Sequence, residues 1–336
     1  MKISIAVVAL NEERYLPGLL RDILNQTYLH SRMEVLLIDS MSTDKTLNIM
    51  NDFRDRHQSK FAHIRVLKNP KKTQANGWNV AIKEYRGDVL IRVDAHAHIP
   101  DDFVEKNVKR LKLGEYVCGG KRPNISEEST LKAALLLEAE SAMFGSGIST
   151  FRNSDKSGYV TSIFHGAYRR EVFDKVGGFN ESLGRTEDND FHQRVRENGY
   201  SIFMDKDIIS YQYVRPTIQK MMKQKFLNGY WIGKTTYINR KCISLYYYIP
   251  GFFVLSVIGT LIMAFLGITA PIEILCVLYG FVLISIGLAS IRKKKYDFIY
   301  IIVPIICCMI HISYGVGTII GLIKNVGNCT KSNLLV

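Results

Sequence analysis

Three long apolar runs near the carboxyl end constrain the fold of this chain more than any other feature. They lie near residues 246–269, 271–291 and 298–323, and almost no charged side chain interrupts them. Each is long enough to cross the hydrocarbon core of a bilayer, about 30 Å thick, as a helix of about 20 residues. The sequence therefore predicts three transmembrane helices over 245–323, followed by a short tail over 324–336.

The basic loop Arg292–Lys295 lies between the second and third runs. Short basic loops stay on the cytoplasmic side of a membrane. If the amino-terminal part is cytoplasmic, the first run leads out and the second returns, which brings this loop inside and leaves the tail outside. Ahead of the runs, an amphipathic basic segment over about 216–235 is interpreted as an interfacial helix, with an ordinary surface helix as the alternative.

The first 244 residues form a basic part that carries nine of the thirteen net positive charges. Such a part suits anionic lipid, sugar-nucleotide phosphates or nucleic acid; the membrane runs favour the first two, and no motif supports nucleic acid. The six cysteines show no C-x-x-C spacing, so a disulfide framework is not expected and a reducing cytosolic face is. The first apolar run is too short for a signal peptide and is interpreted as a strand.

Strand-like and helical patterns alternate through the first third of the chain. The order β-α-β-α-β-α-β-α predicts a mainly parallel sheet with right-handed crossovers. Ligands bind at the carboxyl ends of such strands, and polar residues stand where each predicted strand ends. The predicted strands are Ile3–Leu10, Val35–Ile38, Ile64–Leu67 and the apolar run of the stretch Asp88–Asp94, and the polar residues are Asn11 and Glu12, Asp39, Lys68 and Asn69, and Asp94.

Asp94 and His96 stand where the last of these apolar runs stops. Residues two apart on an extended backbone point to the same side. We therefore expect the two side chains to face one side and to bind a divalent cation that carries a phosphate group. The alternative is a strand-end aspartate beside a hydrogen-bonded loop histidine. Further along, Arg185–Asp190 opens a helix, where acids usually interact with the helix dipole.

Taken together, these segments resemble the family 2 glycosyltransferases, which have the GT-A fold. The resemblance covers about residues 5–235 and implies an α/β, Rossmann-like catalytic domain with a mainly parallel sheet over 1–235. Within the family, the succinoglycan-type exopolysaccharide glucosyltransferases are most similar, on the Asp-Ala-His variant and the three carboxyl-terminal spans. The matching segments are Ser4–Glu12, Ile38–Thr46, Gly77–Ala81, Asp94–His96, Gly166–Arg170 with Gly177–Phe179, and Thr186–Asp188.

The resemblance implies a role for each matching residue. The usual family pattern has a carboxylate where this chain has His96, and a nitrogen ligand makes Mn²⁺ more plausible there than Mg²⁺. The nucleotide would be surrounded by Asn11, Glu12, Asp39 and Asp44, with Asp39 at the uracil, and Asn79 would support that pocket. Asp94 would contact the ribose and, with His96, bind the metal, and Asp188 would be the general base. The acceptor side would contain His165, Gly166, Glu187, Gln224 and Trp231.

The implied enzyme is a multi-pass protein of the bacterial cell membrane with a cytoplasmic catalytic domain. It would transfer a sugar, glucose from UDP-glucose, with inversion onto a lipid-linked oligosaccharide in exopolysaccharide or capsule synthesis. Membrane lipids and other membrane proteins of polysaccharide assembly are its expected partners. The alternatives are a polyprenyl-phosphate sugar synthase, a processive polysaccharide synthase and a catalytically inactive membrane scaffold. Against the second, Gln224 is followed by Lys-Phe-Leu-Asn, not by the Gln-x-x-Arg-Trp motif; against the third, Asp94 and Asp188 are retained.

Overall fold

Strand β1, Ile3–Ala9, lies in the parallel half of an eight-stranded sheet. It pairs in parallel with β2 (Met33–Asp39) on one side and with β4 (Val89–Asp94) on the other, and β2 pairs in parallel with β3 (His63–Lys68). Every residue of β2 and β4 is buried, because helices cover both faces of a parallel sheet. The predicted alternation of strands and helices is confirmed.

Side chains of β1 alternate between two hydrophobic cores, one on each face of the sheet, as the two-residue period of a strand requires. Ile5 and Val7 pack in one core with Leu19, whereas Ala6 packs in the other with Trp78. The helices that supply these partners connect the first strands. They are α1 (Leu16–Leu24), α2 (Thr46–His57), α3 (Gln74–Glu84) and α4 (Phe103–Lys112).

Two antiparallel strands interrupt the parallel order in the other half of the sheet. Strand β9 (Ala167–Arg169) pairs antiparallel with both β4 and β6 (Val117–Lys121). Strand β10 (Ile202–Ile209) continues in parallel from β6, and β8 (Gly158–Val160) pairs antiparallel with β10. The predicted α/β class with a mainly parallel sheet is therefore confirmed. The remaining elements near this half are β5 (Ala97–His98), which pairs antiparallel with β11 (Tyr211–Tyr213), and helices α6 (Arg170–Val176) and α7 (Glu187–Glu197).

The computed structural model describes residues 1–142 and 155–332, with side chains as far as residue 325. It divides into two structural units, residues 1–123 with 149–213 and residues 124–148 with 214–336. The first unit contains the sheet, and the segment over 216–235 is a helix that packs with the carboxyl-terminal helices. The end of the catalytic domain at residue 235 stays a prediction.

The second unit is helical apart from a short strand, β7 (Asn124–Ile125), and three of its segments are long and apolar enough to cross a membrane. They are Leu245–Phe265, Ala270–Lys293 and Phe298–Asn325, with mean hydropathies of 2.0, 2.5 and 2.1, close to the predicted runs. The described helices of this unit are α5 (Leu131–Ser141), α8 (Ile218–Ile238), α9 (Ile249–Phe265), α10 (Ala270–Lys293) and α11 (Val303–Ser332).

Helix α8 packs closely against α11. A Cβ atom on Gly229 would lie 2.0 Å from the carbonyl oxygen of Tyr314, and one on Gly321 would lie 2.1 Å from that of Tyr230. Backbones can approach this closely only where glycines face each other. In addition, Lys225 of α8 is buried, and its Nζ donates to Oε1 of Glu140 at 2.8 Å. The interfacial location predicted for this helix stays a prediction, but one of its lysines binds a carboxylate inside the unit.

Candidate active site

The polar residues that end the first strands lie along one edge of the sheet. In the register of the parallel pairs, Ala9 lies opposite Asp39, and Val8 lies opposite Asp94. The backbone N–H of Asn69 donates to the carbonyl oxygen of Asp39 at 2.8 Å. The rim predicted from the strand ends is therefore present, and it consists of the carboxyl ends of neighbouring parallel strands.

Three of the residues predicted to surround the nucleotide hold the loops of this rim together. The Oδ1 atom of Asn11 accepts from the N–H of Thr43 at 2.8 Å, and Asn11 has a φ of 57°. The Asp39 carboxylate accepts from the backbone N–H of Met41 at 3.1 Å. Asp44 accepts from the N–H of Thr46 at 2.9 Å and that of Glu13 at 3.1 Å. These bonds fix the loops after β1 and β2 against each other, and the nucleotide roles stay predictions.

Asp94 is a buried carboxylate at the end of β4. Its Oδ1 accepts from Nε2 of Gln74 at 3.1 Å, and its Oδ2 lies 3.3 Å from Nε2 of His165. Burial alone would raise the pKa of Asp94, but the contact with His165 and the nearby charges of His96 and Arg122 outweigh it and hold the pKa well below its usual range. Asp94 is therefore ionised at neutral pH.

The contacts of His96 and His165 differ from those that the sequence analysis predicted. The strand ends at Asp94 and the chain turns at residues 95–96, so the argument from an extended backbone is wrong. Nδ1 of His96 lies 3.1 Å from Oε1 of Glu12, and its Nε2 lies 3.1 Å from Nε2 of Gln212. The imidazole in contact with Asp94 is that of His165, whose Nδ1 is 2.8 Å from Oγ of Ser210. Whether His96 binds a metal stays a prediction.

Asp94 has the donor chemistry that a divalent cation requires. An ionised carboxylate with imidazole nitrogens nearby suits Mn²⁺ in particular. Among residues 1–142 and 155–325, no three His, Cys, Asp or Glu side chains form a ready cluster for an ion. The residues thus fit a cation that takes its remaining ligands from the phosphate oxygens of a bound nucleotide.

Glu187 and Asp188 open α7 and are both buried, so they are not the solvated acids usual in a first helical turn. The Asp188 Oδ1 accepts from the N–H of Asn189 at 2.9 Å. Burial raises the pKa of Asp188; Arg92 lowers it, and the charge of Asp94 raises it further. Burial, with the charges of Asp188 and Asp94, raises the pKa of Glu187 to about 8. The carboxyl pair and Asp94 therefore act on each other within the first unit.

Two buried arginines beside these carboxyls were missed by the sequence analysis. Arg92 lies in β4, two residues before Asp94, and Arg122 follows β6. The charges of both lower the pKa of Asp188. Arg92 is a lone arginine in an otherwise apolar strand, and the sequence therefore indicates a buried charge that has a functional or structural role. The sequence around Arg122 contains no comparable signal.

The remaining predicted residues have structural contacts. The Asn79 amide donates to the carbonyl of Phe179 at 2.9 Å and accepts from its N–H at 2.7 Å, so it fastens the turn after α6 to α3. The carbonyl of Gly166 accepts from the N–H of Arg92 at 3.0 Å. Gln224 and Trp231 belong to α8 in the second unit, where Nζ of Lys234 lies 4.4 Å from the Trp231 ring. Their predicted acceptor-side and nucleotide roles stay predictions.

Comparison with known proteins identifies relatives of this chain. It is 27% identical over 335 residues, 98% of each chain, to the dolichyl N-acetyl-alpha-D-glucosaminyl phosphate 3-beta-D-2,3-diacetamido-2,3-dideoxy-beta-D-glucuronosyltransferase of Methanococcus voltae. It is 29% identical over 234 residues, 68% of each chain, to the succinoglycan biosynthesis protein ExoA of Rhizobium meliloti (strain 1021).

A solved structure and a family model agree with these relatives. The mannosyltransferase PcManGT from Pyrobaculum calidifontis, in complex with GDP-Man and Mn²⁺, superposes with a TM-score of 0.58 over 93% of this chain and 86% of that one, at 17% identity. This likeness concerns the fold alone. The family model described as Glycosyl transferase family 2 matches residues 4–177, which is more than half of the chain. The chain therefore belongs to glycosyltransferase family 2 and is a glycosyltransferase with the GT-A fold.

Proposed function

We propose that this enzyme is a membrane-anchored inverting glycosyltransferase that transfers glucose from UDP-glucose to a lipid-linked saccharide, with Asp188 as the general base. The observation that carries the proposal is that two buried carboxyls, Asp94 at the end of β4 and Asp188 at the start of α7, lie in the same unit of a family 2 glycosyltransferase. Asp94 ends a central parallel strand, where α/β sheets bind nucleotides. Asp188 comes from a helix far away in the sequence, and its interaction with Asp94 supports a shared site.

The chemistry needs one base and one leaving group. The acceptor hydroxyl attacks the anomeric carbon while the bond from that carbon to the phosphate oxygen breaks, and its electron pair leaves with UDP. Asp188 takes the proton from the attacking hydroxyl, a role typically worth 10²–10⁴-fold in rate. A single displacement inverts the anomeric carbon, so an α-linked donor gives a β-linked product.

Asp94, with His165 and His96 beside it, would hold a divalent cation that neutralises the charge on the departing diphosphate. The presence of Mn²⁺ and GDP-Man in the PcManGT complex supports this assignment. Asp94 would be the negatively charged ligand of this cation, because its pKa is held low. The loops braced by Asn11, Asp39 and Asp44 would shape the nucleotide pocket.

A lipid-linked acceptor is supported by the relatives and by the second unit. The Methanococcus relative is named for a dolichyl phosphate acceptor, and the Rhizobium relative for succinoglycan biosynthesis. Three helices of this chain could span a membrane, which would hold the enzyme at the surface where such acceptors lie. The basic loop Arg292–Lys295 would then lie on the cytoplasmic side, together with the sheet.

The test is sugar transfer by purified full-length protein in lipid nanodiscs, with a panel of radiolabelled UDP-sugars, Mn²⁺ and an extract of lipid-linked saccharides. We expect transfer from UDP-glucose, and we expect Asp188→Asn to reduce kcat about 10²–10⁴-fold with donor binding retained. The matched control is Asp190→Asn, which makes the same change in the same helical turn at a residue paired with Arg194 at 3.0 Å.

Transfer by Asp188→Asn at the wild-type rate would refute the general base. Transfer only from a different UDP-sugar would correct the donor. Mass analysis of the lipid product identifies the acceptor: glucose on a saccharide supports the proposal, whereas glucose directly on a polyprenyl phosphate would make the enzyme a polyprenyl-phosphate sugar synthase.

A further inference from the structure

His165 is a buried imidazole whose two ring nitrogens have different surroundings. The residue is 3% exposed. Its Nδ1 atom lies 2.8 Å from Oγ of Ser210, whereas its Nε2 atom makes no hydrogen bond with any residue that the structure describes. Oδ2 of Asp94 nevertheless lies 3.3 Å from this Nε2 atom. Buried polar atoms of native proteins nearly always have a hydrogen-bond partner, and one that has none calls for an explanation such as a bound ion.

The spacing between His165 and Asp94 suits two ligands of one cation better than it suits a hydrogen bond. A charge-assisted N–H···O bond spans about 2.7–2.9 Å, which is shorter than the 3.3 Å from Nε2 to Oδ2. Two adjacent ligands of an octahedral cation, each about 2.1 Å from it, lie about 3 Å apart. The other carboxylate oxygen of Asp94, Oδ1, accepts from Nε2 of Gln74 at 3.1 Å. Gln74 thus holds one oxygen of the carboxylate, and the second oxygen faces His165.

Ser210 gives His165 the arrangement that is usual for a metal-binding histidine. Such a histidine binds the metal through one nitrogen and donates the N–H of the other nitrogen to an oxygen. Oγ of Ser210 can accept from Nδ1 of His165, which leaves Nε2, on the side of Asp94, without a hydrogen. Ser210 is itself fixed, because its backbone N–H donates to the carbonyl oxygen of Lys121 at 3.0 Å. The imidazole and its outer partner are therefore held in place together.

His96, by contrast, uses both of its ring nitrogens in other contacts. Nδ1 lies 3.1 Å from Oε1 of Glu12, and Nε2 lies 3.1 Å from Nε2 of Gln212. A neutral imidazole has one donor and one acceptor, so the Gln212 amide donates to Nε2 and the N–H of Nδ1 donates to Glu12. Gln212 lies opposite Ala97 in the pairing of β11 with β5, which places it beside His96. A cation on His96 would have to displace one of these two partners.

We propose that His165 is the nitrogen ligand of the divalent cation, together with Asp94, and that His96 instead braces the turn after β4 between Glu12 and Gln212. The inference rests on the proposed function, which requires the cation, and it deepens that function by naming the ligand. The cation would take its remaining ligands from the diphosphate of the nucleotide and from water. Any preference of the site for Mn²⁺ over Mg²⁺ then comes from His165, since a nitrogen ligand favours Mn²⁺.

Pulsed electron paramagnetic resonance of Mn²⁺ tests this assignment without sugar transfer. Full-length protein in nanodiscs is loaded with Mn²⁺ and UDP, and the coupling between the Mn²⁺ electron spin and an imidazole nitrogen is measured. We expect this coupling in the wild type, its loss in His165→Gln and its retention in His96→Gln. The second variant is the matched control, because it makes the same substitution at the other histidine.

The affinity for Mn²⁺, measured by titration in the presence of UDP, is a second readout. It should fall by at least about tenfold in His165→Gln, since the loss of even an outer partner of a metal ligand costs about 10–100-fold. In His96→Gln it should stay close to the wild-type value. Ser210→Ala removes only the outer partner of His165, so it should keep the nitrogen coupling and weaken Mn²⁺ binding about 10–100-fold.

Ser210→Ala and His96→Gln keep the inference testable if His165→Gln folds poorly. Coupling that survives in His96→Gln, with weaker Mn²⁺ binding in Ser210→Ala, supports His165 as the ligand. Coupling that disappears in His96→Gln would overturn the inference and give the ligand role to His96. A wild-type Mn²⁺–UDP complex with no nitrogen coupling would also overturn it, because the cation would then have oxygen ligands alone. A wild-type enzyme that transfers no sugar would overturn the proposed function, whereas the nitrogen coupling would still decide which histidine binds the cation.

Discussion

Asp94 and Glu187 are both buried carboxyls, yet their pKa values move in opposite directions. Burial raises both, since it disfavours the charged form. At Asp94, the contact with His165 and the charges of His96 and Arg122 outweigh burial. At Glu187, the charges of Asp188 and Asp94 add to burial, and Arg92 opposes them only in part. The first unit therefore holds one carboxylate suited to a cation and one carboxyl that keeps its proton at neutral pH.

The raised pKa of Glu187 leads to a prediction about how the free energy of unfolding depends on pH. Its pKa in the folded protein is about 8, above its ordinary value of 4.5, so its contribution to stability is present below pH 4.5 and is lost as pH rises through 8. Glutamine cannot ionise, so Glu187→Gln avoids this loss. The loss is on the order of several kcal/mol above pH 8, where the full rise of the pKa from 4.5 to about 8 takes effect. The unfolding temperature of Glu187→Gln, relative to wild type, should rise between pH 5 and pH 9 in calorimetry of the full chain.

The control for that prediction is Glu171→Gln, at a half-exposed carboxyl of α6 outside the pair. Its unfolding temperature should track the wild type across the same pH range. If the curves for Glu187→Gln and wild type stay parallel from pH 5 to pH 9, Glu187 is ionised throughout and the assignment of the proton is wrong.

Among the elements, strand β9 decides which histidine meets Asp94. Because β9 runs antiparallel to β4 and Ala167 lies opposite Ile91, the residues just before β9 lie beside the carboxyl end of β4. His165 is thereby brought to Asp94 from far along the chain, while the turn after β4 directs His96 to Glu12. Local spacing predicted that His96 would lie beside Asp94, whereas the antiparallel direction of β9 places His165 there.

The glycines of α8 and α11 allow a prediction at the scale of elements. In Gly229→Ala, the added methyl group would meet the Tyr314 carbonyl of α11, and we expect a loss of about 1–3 kcal/mol because backbone cannot move aside easily. Gly280→Ala in α10 is the matched control, since nothing lies within 4 Å of its added Cβ. Thermal unfolding in detergent should separate the two variants, and equal unfolding temperatures would contradict close packing of α8 on α11.

For the whole molecule, the second unit relates the enzyme to a membrane. Exposed apolar side chains line α9 and α10, including Phe252, Leu255, Phe281 and Ile284. An apolar surface of this extent needs lipid or detergent around it. The orientation proposed above makes the loop between α9 and α10 extracytoplasmic and the loop after α10 cytoplasmic.

This orientation is testable with single cysteines in a cysteine-free background. An impermeant maleimide should label Ile268→Cys, in the loop before α10, in intact cells. It should label Tyr296→Cys, in the loop after α10, only after the cells are permeabilised. Both side chains are exposed, at 52% and 68%, so access to reagent is comparable. The opposite pattern would place the sheet on the outer face, and labelling of both in intact cells would contradict a membrane-spanning hairpin.

The sequence by itself determined the α/β class, the rim of polar strand ends, the membrane-length helices and the family. These depend on period, apolar length and local motif order, which are written along the chain. Only the tertiary structure decided that His165 meets Asp94, that Arg92 is buried beside Trp78 and Phe179, and that α8 packs with α11. The physical reason is that these contacts join residues far apart in the sequence, and they depend on strand direction, helix packing and the burial of charge, which no local pattern records.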